Sequence, residues 1–221
     1  MGEFMKTRRL AIMGLFVALM CVSAWIRIPI PTPIGIMPMT FQTAVAILAA
    51  LLLFPWEAFG VMLIYTCLGL AGLPVFSNPG LAGLSYLASP TFGYLIGFIL
   101  GSPLGAMYLN RTIPQTYIGV RPRGFLRGIE NQKGEDGTKR YSYGESLIAG
   151  FVVIMVVFSC GIGYSWAYSR YIVSTPVEFA TLLTTAIAIL WLKDTAIAAV
   201  IAAIAPKLRK HIGESGQSNS Q

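Results

Sequence analysis

Lys193 and Asp194 are the two residues of this chain best suited to chemistry, because they interrupt a long apolar run, AIAILWLKDTAIAAVIAAIA. Each charge at the centre of a membrane helix costs about 2.5 to 3.5 kcal/mol to insert, so such residues usually face an interior cavity. We therefore predict that the pair holds a polar ligand, with Asp194 as the acceptor and Lys193 as the donor. A self-contained ion pair, or a salt bridge to another helix, is the structural alternative.

Further polar residues lie where Pro- and Gly-rich segments meet apolar runs. Gln42 opens one run in MPMTFQT, and its amide can donate to and accept from a neutral ligand group, whereas Thr40 is as well suited to capping the helix. A polar strip follows beside several glycines, comprising Asn78, Ser85, Ser89, Thr91 and Tyr94 with Gly80, Gly83 and Gly93. Ser89 and Thr91 also suit a capping role around Pro90. We predict ligand contacts from Gln42, Asn78, Gly83, Ser89, Thr91 and Tyr94.

No enzymatic motif accompanies these residues. The sequence has no G-x-x-x-x-G-K-[ST] phosphate loop, no H-E-x-x-H or C-x-x-C motif and no nucleophile elbow, and its sole histidine, His211, lies in a basic tail. We therefore expect ligand capture without catalysis, metal or bound cofactor. The net charge of +7 falls in short clusters between apolar runs, which argues against nucleic acid as a partner.

The composition is typical of a polytopic membrane protein. Hydrophobic residues make up 55% of the 221 residues and charged residues only 11%, whereas a soluble domain carries about 25% charge. Six runs are long enough to cross all or most of the ~30 Å hydrocarbon layer of a bilayer. They are residues 10–26, 40–54, 56–73, 91–108, 147–168 and 181–205. We predict an all-α fold of six transmembrane helices in a single membrane domain, residues 1–221.

The lysines and arginines predict the orientation of these helices. Thirteen of the sixteen fall at the two termini and in the polar segment 110–146, whereas the opposite side carries only Arg27 and Arg170. Cytoplasmic loops are enriched in such residues, so both termini and the 110–146 loop are predicted to be cytoplasmic. The outward loops are then 27–38, 72–90 and 169–178. The first two are rich in glycine and proline, a composition that suits a ligand lid.

Gly14 and Ala18 form a pair of small residues in the first predicted helix. They are one helical turn apart, which lets another helix approach closely, and close approach is a main source of helix association in lipid. The spacing is common in membrane helices, so by itself it is weak evidence for a protein partner.

Two longer segments carry motifs of a known family. They are MPMTFQTAVAILAALLLFPWEAFGVMLIYTCLGLAGLPVF at 37–76 and SPTFGYLIGFILG at 89–101. The patterns P-[MF]-T-x-Q-T, G-x-P-V-F and P-T-x-G-Y-L-x-G-F in these segments resemble the BioY family, the biotin-capturing S components of energy-coupling factor (ECF) transporters. Weaker similarity extends through the hydrophobic ends and omits only the 110–146 loop.

The resemblance implies a six-helix S-component fold in the cell membrane that binds one biotin under the outer loops. It implies that Asp194 holds the ureido ring, and that Gly14 and Ala18 dock on an ECF transmembrane coupling protein, which carries two ATPase subunits. In the family pattern a lysine follows the aspartate by three residues, but here that position is Ile197 and Lys193 precedes Asp194. Residues 193 and 197 are one helical turn apart, so Lys193 can present its charge to the same cavity.

Three other functions stay open on the sequence alone. The same fold with a different pocket would capture another small vitamin or cofactor precursor. A self-sufficient secondary transporter would need an ion relay, for which only Lys193 and Asp194 are available, and no inverted repeat is visible. A structural membrane scaffold would leave a charged pair at mid-membrane unexplained.

Overall fold

The computed structural model of the protein describes residues 2–32, 35–78, 80–112, 142–172, 177–185 and 192–217. Most of the described chain is helical, and its elements follow one another in the order α1 (Gly2–Trp25), β1 (Arg27–Thr32), β2 (Gly35–Thr40), α2 (Gln42–Leu52), α3 (Pro55–Leu70), a 3-10 helix (Gly83–Ala88), α4 (Phe92–Thr112), α5 (Tyr143–Tyr171), α6 (Phe179–Thr185) and α7 (Leu192–Gln217). Most of the predicted 110–146 loop, part of the predicted 169–178 loop and the middle of the last predicted helix lie outside the described residues.

Helix α2 is the centre of the fold. It is short and apolar on all sides, and a helix of that kind must be buried. It packs against α1, α3, α4, α5 and α7, and Ala46 and Ile47 are fully buried. The Ser102 hydroxyl of α4 donates to the Ala46 carbonyl at 2.9 Å. A Cβ at Gly150 would contact both Ile47 and Ala198, so α2, α5 and α7 meet at that glycine.

Helices α4 and α5 make the most extensive contact among the described helices. Four glycines of α4, spaced four residues apart, lie against the α5 backbone: Gly93, Gly97, Gly101 and Gly105. A Cβ on Gly97 would lie 2.6 Å from the Cα of Val157, which no neighbouring side-chain movement can relieve. The four-residue glycine spacing is a sequence signal for close helix packing. Our sequence analysis missed it.

The predicted loop 27–38 contains regular structure that the sequence analysis did not predict, because its described residues belong to two antiparallel strands, which we call the hairpin. Strand β1 pairs with β2 from Arg27 opposite Thr40 to Thr32 opposite Gly35, with Pro29 opposite Pro38. Proline excludes a helix here, but it is tolerated in a two-stranded ribbon whose outer edges need no hydrogen-bond partner. The expectation of an all-α fold therefore fails in this segment, and Thr40 ends a strand instead of capping α2.

The last predicted helix, 181–205, corresponds to α6 and α7. The described part of helix α7 runs from Leu192 to Gln217 and includes Lys193 and Asp194 near its first residue. Residues 186–191, which the prediction placed in the same helix, are outside the described part of the chain.

Two of the described helices are long and apolar enough to cross a bilayer, within Phe92–Arg111 and Tyr143–Tyr171. Shorter apolar helical stretches occur at Arg9–Trp25, Gln42–Leu52 and Pro55–Leu70. Large apolar side chains are exposed on the outer surfaces of the bundle, including Leu15, Val22 and Trp56. An apolar surface of this kind suits contact with lipid.

We expect Gly97→Ala to destabilise the protein, because the new methyl group must push two helix backbones apart. Overpacking of this kind costs about 1 to 3 kcal/mol, or about 3 to 10 °C in the unfolding midpoint. The control is Gly163→Ala on α5, where a Cβ has no neighbour within 4 Å. The control should keep or raise the midpoint, because alanine favours helix. Thermal unfolding in detergent measures the midpoints of the two purified variants. Equal midpoints would contradict the close contact between α4 and α5.

A candidate ligand-binding cleft

One cleft is lined by residues from most parts of the fold. They come from the hairpin, from helices α2, α4, α5 and α7, from the 3-10 helix and from the segment that precedes the 3-10 helix. It encloses about 530 Å³ of space between atoms, part of which is open solvent at its mouth. Its walls are formed by Met37, Pro38, Thr40, Gln42, Thr43, Ser77, Tyr86, Thr91, Tyr94, Leu95, Phe98, Phe158, Lys193 and Asp194.

Lys193 and Asp194 form an ion pair within the cleft wall. The Lys193 Nζ lies 2.8 Å from Asp194 Oδ1, and Asp194 is only 3% exposed. Nζ also donates a hydrogen bond to the Thr40 carbonyl at 2.6 Å, which ties the end of the hairpin to the start of α7. Oδ1 has no further donor among the described residues. The pair is therefore a salt bridge that forms part of the cleft wall.

Gln42 is held in place by its own hydrogen bonds. Its Nε2 donates to the Tyr65 hydroxyl at 2.8 Å, and its Oε1 accepts from the Thr40 hydroxyl at 3.0 Å. The Tyr65 hydroxyl in turn donates to the Val75 carbonyl at 3.0 Å. A primary amide has two N–H groups, so one Gln42 donor stays available to the cleft.

A second buried network centres on Tyr86 of the 3-10 helix. The Thr91 hydroxyl donates to the Tyr86 hydroxyl at 2.9 Å, and the hydroxyls of Ser89 and Thr91 are 2.8 Å apart. The Ser77 hydroxyl lies 3.3 Å from that of Tyr86. Burial raises the pKa of the Tyr86 phenol, so this side chain stays neutral and serves as a hydrogen-bonding group. Ser77, Tyr86 and Thr91 present the network to the cleft.

Aromatic packing fixes the segment that carries Ser77 and Tyr86. The Phe76 ring stacks against Tyr86, with centroids 4.1 Å apart, and meets Tyr65 edge to face at 5.8 Å. It lies directly on Gly69 of α3, where a Cβ would be 2.1 Å from the ring. From the other side, α5 donates hydrogen bonds from Tyr164 to the Leu87 carbonyl and from Ser165 to the Pro90 carbonyl. The segment that carries Ser77 and Tyr86, which we call the outer segment, is thus anchored to α3 and α5.

The structure brings five of the predicted ligand contacts to the cleft wall, namely Gln42, Thr91, Tyr94, Lys193 and Asp194. Ser89 is buried behind the wall, where it hydrogen-bonds to Thr91. Asn78 is half-buried and Gly83 has a φ of +67°, a turn conformation that favours glycine. Neither belongs to the wall, and ligand contact by these residues stays a prediction.

Several wall residues were missed by the sequence analysis. Leu95 and Phe98 lie one and two turns after Thr91 on the same face of α4, so helical spacing was a usable signal for them. Thr43 is adjacent to Gln42, and Ser77 to Asn78. No sequence signal pointed to Phe158 of α5, which reaches the cleft only through the α4–α5 packing.

Gly14 and Ala18 lie far along α1 from the hairpin and are both exposed. A Cβ on Gly14 would meet no atom within 4 Å. The pair is part of an exposed apolar face of α1 that also includes Leu15 and Val22.

Comparisons with known proteins identify relatives of the chain. A sequence model of the BioY family matches residues 1–214. The "Probable biotin transporter BioY" of Lysinibacillus sphaericus is 40% identical over 106 residues, 48% of this chain and 51% of that protein. The "Biotin transporter BioY" of Thermotoga maritima is 42% identical over 97 residues, 43% of this chain and 53% of that protein. The matched regions therefore span about half the length of these relatives.

Two further comparisons extend over nearly the whole chain. The "Putative biotin transporter BioYB" of Bacillus subtilis (strain 168) is 28% identical over 214 residues, 94% of this chain and 93% of that protein. A crystal structure described as the S-component for biotin from an ECF-type ABC transporter superposes with a TM-score of 0.69. It covers 95% of each chain at 20% identity. The chain therefore shares the fold of that S component.

We expect Lys193→Met to destabilise the protein, because it leaves the buried Asp194 carboxylate without a counter-charge. Breaking a buried ion pair from one side costs about 3 to 5 kcal/mol. The double variant Lys193→Met/Asp194→Asn removes both charges and should recover most of that loss. Thermal unfolding in detergent compares the two with the native chain. A double variant as unstable as Lys193→Met would contradict the assigned pairing.

Proposed function

Because the chain belongs to the BioY family, we propose that it is the biotin-binding S component of an ECF-type uptake transporter. The chain is a membrane protein and not an enzyme. The observation that carries the proposal is Asp194, a buried carboxylate in the cleft wall. Its Oδ1 has no donor among the described residues beyond the Lys193 ion pair. A buried acceptor with unused capacity favours a ligand that brings N–H donors.

The chemistry of biotin matches the cleft group by group. Its ureido ring presents two N–H donors to Asp194 and a carbonyl oxygen to the remaining Gln42 N–H or to Asn78. The fused rings and aliphatic chain are apolar and suit the walls made by Tyr94, Phe98 and Phe158. Thr91 and Ser89, with Gly83 nearby, support this surface from the outer segment, and Lys193 balances the charge of Asp194.

The membrane arrangement that we propose has six spans. Helices α1 to α5 provide five, and α6 and α7, with the residues between them, provide the sixth. Both termini and the 110–146 loop then lie in the cytoplasm, as the distribution of lysine and arginine predicts. The hairpin and the 3-10 helix lie on the outer side, so the cleft opens to the exterior and captures biotin there.

Transport requires partners in this proposal, because the sequence lacks a nucleotide-binding motif. An ECF transmembrane coupling protein with two ATPase subunits supplies the energy for reorientation and release. Gly14 and Ala18 of α1 provide the docking surface, since their exposed small side chains let a partner helix approach closely.

We expect Asp194→Asn to weaken biotin binding by about 10- to 100-fold, because the amide directs an N–H group at the ureido donors and the charged acceptor is lost. Titration calorimetry with biotin on the full chain in detergent measures the dissociation constant. Glu178→Gln, which neutralises an exposed carboxylate at the start of α6, is the matched control and should bind like the native chain.

The same titration decides between the functions considered above. A stable native chain that binds no biotin at any concentration would overturn the proposal and favour another small vitamin, which mass spectrometry of the co-purifying molecule would identify. Uptake by vesicles that contain this chain alone, abolished by a proton uncoupler, would instead indicate a secondary transporter.

We expect Gly14→Leu to block assembly with the coupling protein while leaving biotin binding unchanged, because a bulky side chain keeps the partner helix at a distance. Gly163→Leu is the matched control, since neither glycine has a neighbour within 4 Å of an added Cβ. Co-purification with the coupling protein and its ATPase subunits reads out assembly. Loss of assembly in both variants, or in neither, would rule out a specific docking role for this face.

A further inference from the structure

Arg27 is an exposed residue outside the cleft wall that links two segments lining the cleft. As the first residue of β1 it pairs with Thr40, which lines the cleft. Its Nη1 donates to the carbonyl of Ser77 at 2.9 Å, and Ser77 also lines the cleft. Trp25, two residues before Arg27, makes a second link through a 3.1 Å hydrogen bond from its Nε1 to the Pro74 carbonyl.

The Arg27 guanidinium has N–H donors that the described hydrogen bonds do not use. A guanidinium carries five N–H groups, and the described residues use one Arg27 nitrogen, Nη1, for the Ser77 carbonyl. None of the described carboxylates lies within salt-bridge distance of it, since the two ion pairs in these ranges are Arg9 with Glu57 and Lys193 with Asp194.

The cationic partner inside the cleft is already committed. Lys193 Nζ is shared between Asp194 and the Thr40 carbonyl, so the pair of charges is close to neutral as a whole. An anionic ligand that enters this cleft would bring one uncompensated negative charge. The apolar walls formed by Leu95, Phe98 and Phe158 do not stabilise such a charge.

We propose that Arg27 is the specificity-determining residue for the carboxylate end of the ligand. This inference rests on the proposed function, in which the ureido ring lies against Asp194 and the acyl chain points to the mouth of the cleft. The ligand carboxylate then accepts hydrogen bonds from the unused N–H groups of the Arg27 guanidinium. A planar guanidinium can donate one hydrogen bond to each carboxylate oxygen. The hairpin and the Ser77 segment hold the guanidinium at the rim.

A purely structural role for Arg27, as a strut between the hairpin and the outer segment, makes a different prediction. Loss of a strut would weaken binding of every ligand that fits the cleft, whatever its charge. Loss of a carboxylate partner would weaken only the anionic ligand. A neutral analogue of the ligand therefore separates the two roles.

The experiment compares biotin with biotinamide, in which a neutral amide replaces the carboxylate, on the full chain in detergent. We expect Arg27→Gln to weaken biotin by about 10- to 100-fold and biotinamide by less than about twofold. Arg27→Lys keeps the positive charge but lacks the planar guanidinium, so its affinity for biotin should lie between those of Arg27→Gln and the native chain. The matched control is Arg170→Gln, because Arg170 is also a cation of the predicted outer side but lies over Trp166 instead of the cleft.

Each result decides the inference. A biotin-selective loss in Arg27→Gln, absent in Arg170→Gln, supports it. Equal losses for biotin and biotinamide, no loss for either, or a native chain that binds both ligands equally well would overturn it and leave the proposed function standing. A native chain that binds neither ligand would overturn the proposed function and this inference together.

Discussion

The rest of the cleft depends on a carboxylate that the fold removes from water. A buried charge without a partner costs several kcal/mol, so Asp194 requires Lys193 beside it. Lys193 reaches past the pair to the Thr40 carbonyl, and the hairpin is thereby attached to the first turn of α7. Residues 40 and 194 are far apart in the chain, and this one ammonium group keeps them in the same wall. The ion pair thereby becomes part of the polar wall of the cleft.

A tightly packed bundle supports this polar wall. Helix α4 uses one face, with Gly93 and Gly97, to lie against the α5 backbone, and another face, with Leu95 and Phe98, to line the cleft. Packing and binding are therefore divided between two faces of one helix. The outer segment is fixed to this base by Phe76 on Gly69 and by hydrogen bonds from α5. Its polar groups are thus positioned before a ligand arrives, which reduces the entropy lost on binding.

The polar groups of the cleft are few and are held mainly by one another. Gln42 is fixed by Thr40 and Tyr65, and Tyr86 is fixed by Ser77 and Thr91. An apolar site with a few oriented polar groups discriminates ligands well, because a wrong ligand leaves buried groups unpaired. This arrangement is consistent with capture of a scarce small molecule and requires no reactive group.

The sequence alone determined the features that depend on local composition. Apolar run length predicted helices in all six regions, the isolated charges marked Lys193 and Asp194, and the motifs around Gln42 and Thr91 identified the family. The prolines predicted a loop because they exclude a helix, and only the pairing between Arg27–Thr32 and Gly35–Thr40 decided that these residues form strands. The contribution of Phe158 and the contact between Lys193 and Thr40 also required the tertiary structure. Their partners are distant in sequence, and local spacing carries no information about which helix faces meet.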